Sequence, residues 1–198
     1  MTLILSKKYN PLFDSKARYF IITGGRGSGK SFAVTVFLTL LTMSRGIRVL
    51  FTRFTMTSAH LSIIPEFLEK IGLLGFEETF NINKSEVVNA KNKSDILFRG
   101  IKTSAGNQTA SLKSLQGIST WVLDEAEELV DENIFDTIDL SIREKKVQNR
   151  IILVLNPVTK EHWIYKRFFE DKGVEGGFNG VKDNICYIHS TYLDNETN

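Results

Sequence analysis

The stretch Gly24-Gly25-Arg26-Gly27-Ser28-Gly29-Lys30-Ser31 matches G-x-x-x-x-G-K-[ST] at every specified position, and it follows an apolar, β-rich run over residues 19–23. A strand that runs into glycines and then into Gly-Lys-Ser leaves few folds open, because this turn must hand the chain from a sheet to a helix. The chemistry behind the pattern is the holding of a polyphosphate such as ATP. Backbone N–H groups have to point inward at clustered negative charge, and the four glycines let the backbone curl with no Cβ in the way. Lys30 then reaches the β/γ-phosphates, and Ser31, at the helix start, offers its hydroxyl to Mg²⁺ where the helix adds its partial positive charge.

Position also decides the next segment. Residues 32–43 are rich in β-branched side chains and pass for a strand by propensity. A phosphate loop must open a helix, however, and a continuously apolar helix is what a crossover buried against a sheet requires. Further strands are expected over 47–54, 96–98, 120–123, 151–155 and 185–190, with two short alternating segments, 80–83 and 86–89, as a small antiparallel addition. Helices are expected over 58–71, interrupted or restarted at Pro65, over an acidic run ending at Arg143, and over 162–169. Residues 100–117 are rich in Ser, Thr, Gly, Asn and Gln, show no period and are too long for a routine connection. The whole reads as one α/β domain, a mainly parallel sheet flanked by helices with antiparallel strand additions. Residues 1–18 form an N-terminal arm. Its aromatics, Tyr9 and Phe13, serve equally well to stack on a nucleotide base or to pack on the core.

The run Trp121-Val122-Leu123-Asp124-Glu125 is an apolar strand ending in two acids, the Walker B pattern. Asp124 is placed to hold Mg²⁺ and Glu125 to orient the water that attacks the γ-phosphate, since phosphoryl transfer gains mainly from positioning and electrostatics. Acids at a helix start account for the pair on their own; a complete phosphate loop on a separate strand makes them a signal for hydrolysis. Asn156 ends the following strand, where its amide contacts the γ-phosphate or the attacking water, or simply forms a turn before Pro157.

Bulk properties exclude more than they assign. With 42% hydrophobic residues the 198-residue chain can bury a sizeable core, and a net charge of +2 is too mild to decide for or against nucleic acid. The single Cys186 rules out an internal disulfide and a multi-cysteine zinc site. No stretch has the length of a membrane span, and His60, His162 and His189 are isolated, without metal-ligand spacing.

Taken together, the phosphate loop, Ser114-Leu115-Gln116-Gly117 leading into Trp121–Ala126, Ile142-Arg143, Leu155-Asn156-Pro157 with His162-Trp163 after it, and Ser190-Thr191-Tyr192-Leu193-Asp194-Asn195 resemble the ATPase domain of the large terminase subunit of tailed bacteriophages. The resemblance implies an additional-strand P-loop ATPase core, a catalytic glutamate at Glu125, a coupling motif at 155–157, and a γ-phosphate or acid contact for Arg26. It implies double-stranded DNA, a portal protein and a small terminase subunit as partners, a homo-oligomeric ring when assembled and a monomer in isolation, in the cytoplasm of an infected bacterial host. It also implies a nuclease domain beginning where this sequence stops at Asn198, with residues 185–198 as last strand and start of a linker, so no DNA cutting is expected of the chain. A cation supplied by a neighbouring subunit is expected from the 100–117 region, Lys113 first, with Arg99 and Arg143 as alternatives. A helicase-like ATPase or a nucleotide-dependent assembly scaffold fits the same two motifs.

Overall fold

The computed structural model describes residues 4–56, 61, 63–103, 106–107, 112 and 115–194. A 3-10 turn, Lys7–Tyr9, and helix α1 (Asn10–Asp14) lead into strand β1 (Tyr19–Gly24), helix α2 (Lys30–Leu41), strand β2 (Arg48–Thr55) and helix α3 (Ile63–Leu73). The strands β3 (Phe80–Asn83), β4 (Glu86–Asn89), β5 (Asp95–Thr103) and β6 (Gly106–Asn107) follow. Beyond them come β7 (Thr120–Asp124), α4 (Glu132–Asp139), β8 (Arg150–Leu155), α5 (Trp163–Tyr165) with a π-helical turn at Lys166–Glu170, β9 (Gly180–Lys182) and β10 (Ile185–Ser190).

Among the described residues these strands form a ten-stranded sheet in the order β3-β4-β5-β2-β7-β8-β1-β10-β9, with β6 paired to β5 off that path. The pairings from β5 through β10 are all parallel, while β3, β4, β6 and β9 attach antiparallel. β8 thus stands between β1, which carries the phosphate loop, and β7, which carries the paired acids. That insertion is what the additional-strand class means.

Central parallel strands are covered on both faces, so they must be apolar throughout, and β7 is buried at all five positions. Alternation sorts the side chains into two cores. Phe20 and Ile22 face one layer with α2 and α3, while Ile21 faces the other with α4, Trp163 and Phe168. Within α2, residues 33–39 are buried without a break, which accounts for its helical state despite its composition. Its threonines are accommodated because Thr39 and Thr42 donate their hydroxyls back to the carbonyls of Thr35 and Leu38.

Several expectations need correction. The helix expected over 58–71 begins at Ile63; residues 57–60 and 62 lie outside the described set. Pro65 neither interrupts nor restarts it but sits in the first turn, where a missing N–H breaks no intrahelical bond. Among the described residues of the irregular stretch expected over 100–117, 100–103 and 106–107 are strand: β5 continues to Thr103, paired with β2 as far as Thr55, and β6 folds back on it. Buried Ile101 anchors that extension. The acidic run is a short 3-10 turn followed by α4, which Asp131 caps by accepting from the Asn133 N–H, and helix ends before Arg143. The N-terminal arm is helical, with Tyr9 and Leu12 buried.

Candidate active site

The carboxyl ends of β1, β2, β7 and β8 surround a cavity of about 340 Å³ lined by residues 25–32, Arg53, Asp124, Glu125, Glu127 and Asn156. The loop between β1 and α2 is fixed from beneath. A Cβ on Gly24 would lie 2.1 Å from the Ser190 carbonyl oxygen, so only glycine allows the loop to rest on the end of β10. Gly29, at φ 80°, makes the left-handed turn that starts α2. Buried Ser28 donates to the Gly25 carbonyl at 2.8 Å. The Lys30 ammonium lies over the loop, donating to Gly24 O at 2.5 Å and Gly25 O at 2.9 Å. Burial pushes its pKa down, against the opposing pull of Glu127 and Asp124. Ser31 is exposed at the cavity, and Arg26 is exposed on its rim.

Across the cavity, Asp124 is almost fully buried and held by Arg53, whose Nε donates to Oδ2 at 2.8 Å. The same guanidinium lies 3.7 Å from the Glu125 carboxylate. Glu125 adopts φ 53°, a left-handed conformation uncommon outside glycine, which turns its half-exposed side chain toward the pocket. Its pKa is raised, first by burial, with Arg53 opposing and Asp124, Glu128 and Glu127 adding to the rise. Asn156, from the end of β8, donates its amide to Glu127 at 2.5 Å and accepts from Lys30 at 3.4 Å, so it bridges the two sides. Glu127 is positioned in turn by backbone contacts: His162 Nε2 lies 3.2 Å from its carbonyl, and Trp163 donates to Leu129 O at 2.5 Å.

Of the residues expected from sequence, the phosphate loop, Asp124, Glu125 and Asn156 converge here. Tyr9 does not offer a stacking surface for a base: it is 2% exposed, and its hydroxyl donates to Ser28 O at 2.8 Å and shares a 2.6 Å hydrogen bond with Ser190 Oγ. The ring is a support beneath the loop. Lys113 lies outside the described residues. Arg99 is turned onto the Ser85 and Phe98 carbonyls, and Arg143 is exposed in the turn before β8, at the opposite end of the sheet from the pocket. Sequence reasoning missed Arg53 and Glu127; the only available signals were a cation at the end of a strand and a third acid after the pair.

The residues fit a nucleotide with its Mg²⁺. The glycine cradle admits a phosphate chain, and one carboxylate with one hydroxyl is the sparse oxygen set that leaves room for phosphate oxygens around the ion.

A phosphate loop, paired acids two strands away and an intervening strand that ends in Asn156 define a P-loop domain of the additional-strand ATPase class. Residues 16–197 match the family model of the phage terminase large subunit, and the chain belongs to that family. It is 25% identical over 211 residues to the large terminase subunit of Bacillus phage SPP1, covering 96% of this chain and 47% of the relative. It therefore spans about half the length of that relative. The fold matches the large terminase of a thermophilic bacteriophage with a TM-score of 0.74 at 14% identity, over 98% of this chain and 47% of the other. It matches the N-terminal domain of the DNA packaging ATPase of bacteriophage phi29 with a TM-score of 0.69 at 16% identity, over 94% and 97% of the two chains. The thermophilic phage's protein has also been solved with ADP and with ATP-gamma-S.

Proposed function

We propose that this chain hydrolyses ATP to drive translocation of viral double-stranded DNA into a procapsid. The observation that carries the reading is the convergence of Lys30, Asp124, Glu125 and Asn156 on one cavity of a terminase-family fold. Loop N–H groups and Lys30 bind the phosphates, and phosphate oxygens replace the Gly24 and Gly25 carbonyls as partners of the ammonium. Ser31 and Asp124 would hold Mg²⁺, which would neutralise charge on the phosphates. Glu125 orients the attacking water and takes up its proton. Arg53 keeps the two acids apart in role, clamping Asp124 while leaving Glu125 half exposed. Asn156 touches both sides of the cleft and is the residue best placed to report loss of the γ-phosphate to Glu127 and the segment behind it.

The partners in this reading are duplex DNA, a portal protein, a small terminase subunit and further copies of the chain in a ring, in the cytoplasm of the infected host. A neighbouring subunit supplies the remaining cation, Lys113 before Arg99 or Arg143, and Arg26 meets the γ-phosphate from within the loop. The test is steady-state hydrolysis with Glu125→Gln and Lys30→Ala. Glu125→Gln should bind ATP with nearly parental affinity and turn over nothing, and Lys30→Ala should lose both. Parental turnover by Glu125→Gln would remove the catalytic assignment. Tight binding with no turnover by the parent, even with duplex DNA and portal added, would make the chain an assembly scaffold instead.

A further inference from the structure

Composition hides a segregation of charge that the topology reveals. Residues 42–46 lead into β2, 90–94 into β5 and 143–149 into β8, so these three turns share one pole of the parallel sheet, opposite the phosphate loop. They contain six exposed cations, Arg45, Lys91, Lys93, Arg143, Lys145 and Lys146, against one half-buried acid, Glu144. Six less one is +5 in a chain whose total is +2, so everything outside these turns sums to −3. Other cations at this pole are engaged: Arg18 pairs with Asp139 and Arg48 with Asp95, while Arg150 bonds Gln148 and lies over Phe37. Acids return toward the margins, as Asp14 and Asp183, each close in sequence to a lysine, as exposed Asp171, which lines a cavity with Asp183 and Asn184, and as Glu77 and Glu78 before β3.

The six cations fall into two groups. Asn92 donates to Met43 O at 2.9 Å and Ser94 to Ser44 O at 2.7 Å, which joins the first two turns into one cluster. The third turn is the other cluster. Between them runs the entry to β7, residues 115–119, which carries no charge. With strands about 4.8 Å apart, β8 stands two intervals from β2 and three from β5, which puts the clusters roughly 10–14 Å apart. That is close to the ~12 Å major groove separating the two phosphate backbones of B-form DNA. A second observation is independent of charge. Lys93 and Lys146 adopt φ 66° and 67°, left-handed positions that glycine or asparagine would take at lower cost, yet each presents a lysine in its turn. A strand of six residues lies between this pole and the nucleotide pocket, roughly 20 Å, so ATP in that pocket cannot be the anion.

We propose that this pole binds the phosphate backbones of duplex DNA, one basic cluster on either side of a groove. The choice of DNA rests on the packaging reading above; the surface itself rests on charge and topology. The probe is a fluorescein-labelled duplex of about three helical turns, with anisotropy measured on the full chain across roughly 50–200 mM salt. Arg45→Ala/Lys91→Ala and Lys145→Ala/Lys146→Ala should each lower the slope of log affinity against log salt by about 2 and weaken binding by roughly 10-fold. Lys84→Ala/Lys166→Ala, which removes two exposed cations elsewhere, should bind as the parent does. Lys146→Gly should raise the melting temperature while weakening DNA binding, a pair of opposite signs that a purely structural lysine cannot give. Basal ATP hydrolysis should be unchanged in the pole variants. The proposal is overturned by parental affinity and slope in both double variants, by no duplex binding of the parent at the lowest salt, or by a loss seen only on phosphatidylserine vesicles. If the pole variants lose DNA while the parent hydrolyses no ATP, the surface stands and the motor reading fails.

Discussion

Replacing Tyr9 by Phe removes one oxygen from a ring that lies beneath the phosphate loop and leaves its packing untouched. That oxygen donates to Ser28 O at 2.8 Å and shares a 2.6 Å hydrogen bond with Ser190 Oγ, both buried. Its burial also raises the phenol's pKa, so it stays protonated and able to donate at any working pH. Losing the donor strands a buried carbonyl, a change costing about 1–3 kcal/mol. Taking ~2 kcal/mol as the centre, a domain of this size should melt about 4–8 °C lower. If half of that cost is disorder in the loop that bound phosphate must restore, the ATP Kd rises roughly 5-fold. Thermal melts and titration with a fluorescent ATP analogue measure the two parts separately. Ser190→Ala should give a smaller loss, and the double variant should be no worse than Tyr9→Phe, because both substitutions dismantle the same bridge. A Tyr9→Phe protein that melts with the parent and binds ATP equally, or losses that simply add, would refute the idea that this hydroxyl holds the loop.

Other outcomes follow from the same geometry. Glu125 has a raised pKa and works as a carboxylate, so turnover should fall as pH drops through a value above the usual 4.5. Because Arg53 is what holds that value down, Arg53→Ala should move the acid limb of the kcat profile to higher pH; an unmoved limb would discard the pairing. The linked stability runs the other way: a raised carboxyl favours folding below its ordinary pKa and loses that contribution as pH rises through the raised value. Burial pushes the Cys186 thiol up to about 11, so a thiol reagent at neutral pH should label it only as fast as the domain unfolds. Mixing Glu125→Gln subunits with Lys113→Ala, Arg99→Ala or Arg143→Ala subunits should restore hydrolysis for the variant that lacks the true trans-acting cation, because the Glu125→Gln subunits still supply it, and no rescue in any mixture would argue against a shared site.

What the sequence made legible was whatever is encoded locally. The phosphate loop and the Asp-Glu pair are short motifs whose chemistry requires neighbouring residues, and α2 could be read against its own propensity because the loop before it leaves no alternative. Arg53 was illegible because its partner Asp124 is 71 residues away and meets it only through the parallel register of β2 with β7. Tyr9 was ambiguous for a related reason: an aromatic upstream of a phosphate loop looks the same whether its face or its hydroxyl is used, and the answer depends on Ser190, 181 residues on. The extension of β5 was masked because Gly100 and the small polar residues after Lys102 break the apolar run, while the pairing of Thr52, Arg53 and Thr55 with residues 99–102 supplies order that no local period announces.

The intervening strand β8 changes what the nucleotide cleft can measure. Were the phosphate loop and the acids on adjacent strands, their separation would be pinned by ladder hydrogen bonds and could register little. Here two inter-strand spacings lie between them, and the residue at the midpoint is tethered to both, to Lys30 on one side and Glu127 on the other. Asn156 thus behaves as a differential gauge. A shift that carries both walls together leaves its two bonds unchanged, whereas a widening of the gap must lengthen one of them, and the contact to Lys30, at 3.4 Å, is already the longer of the two, against 2.5 Å to Glu127.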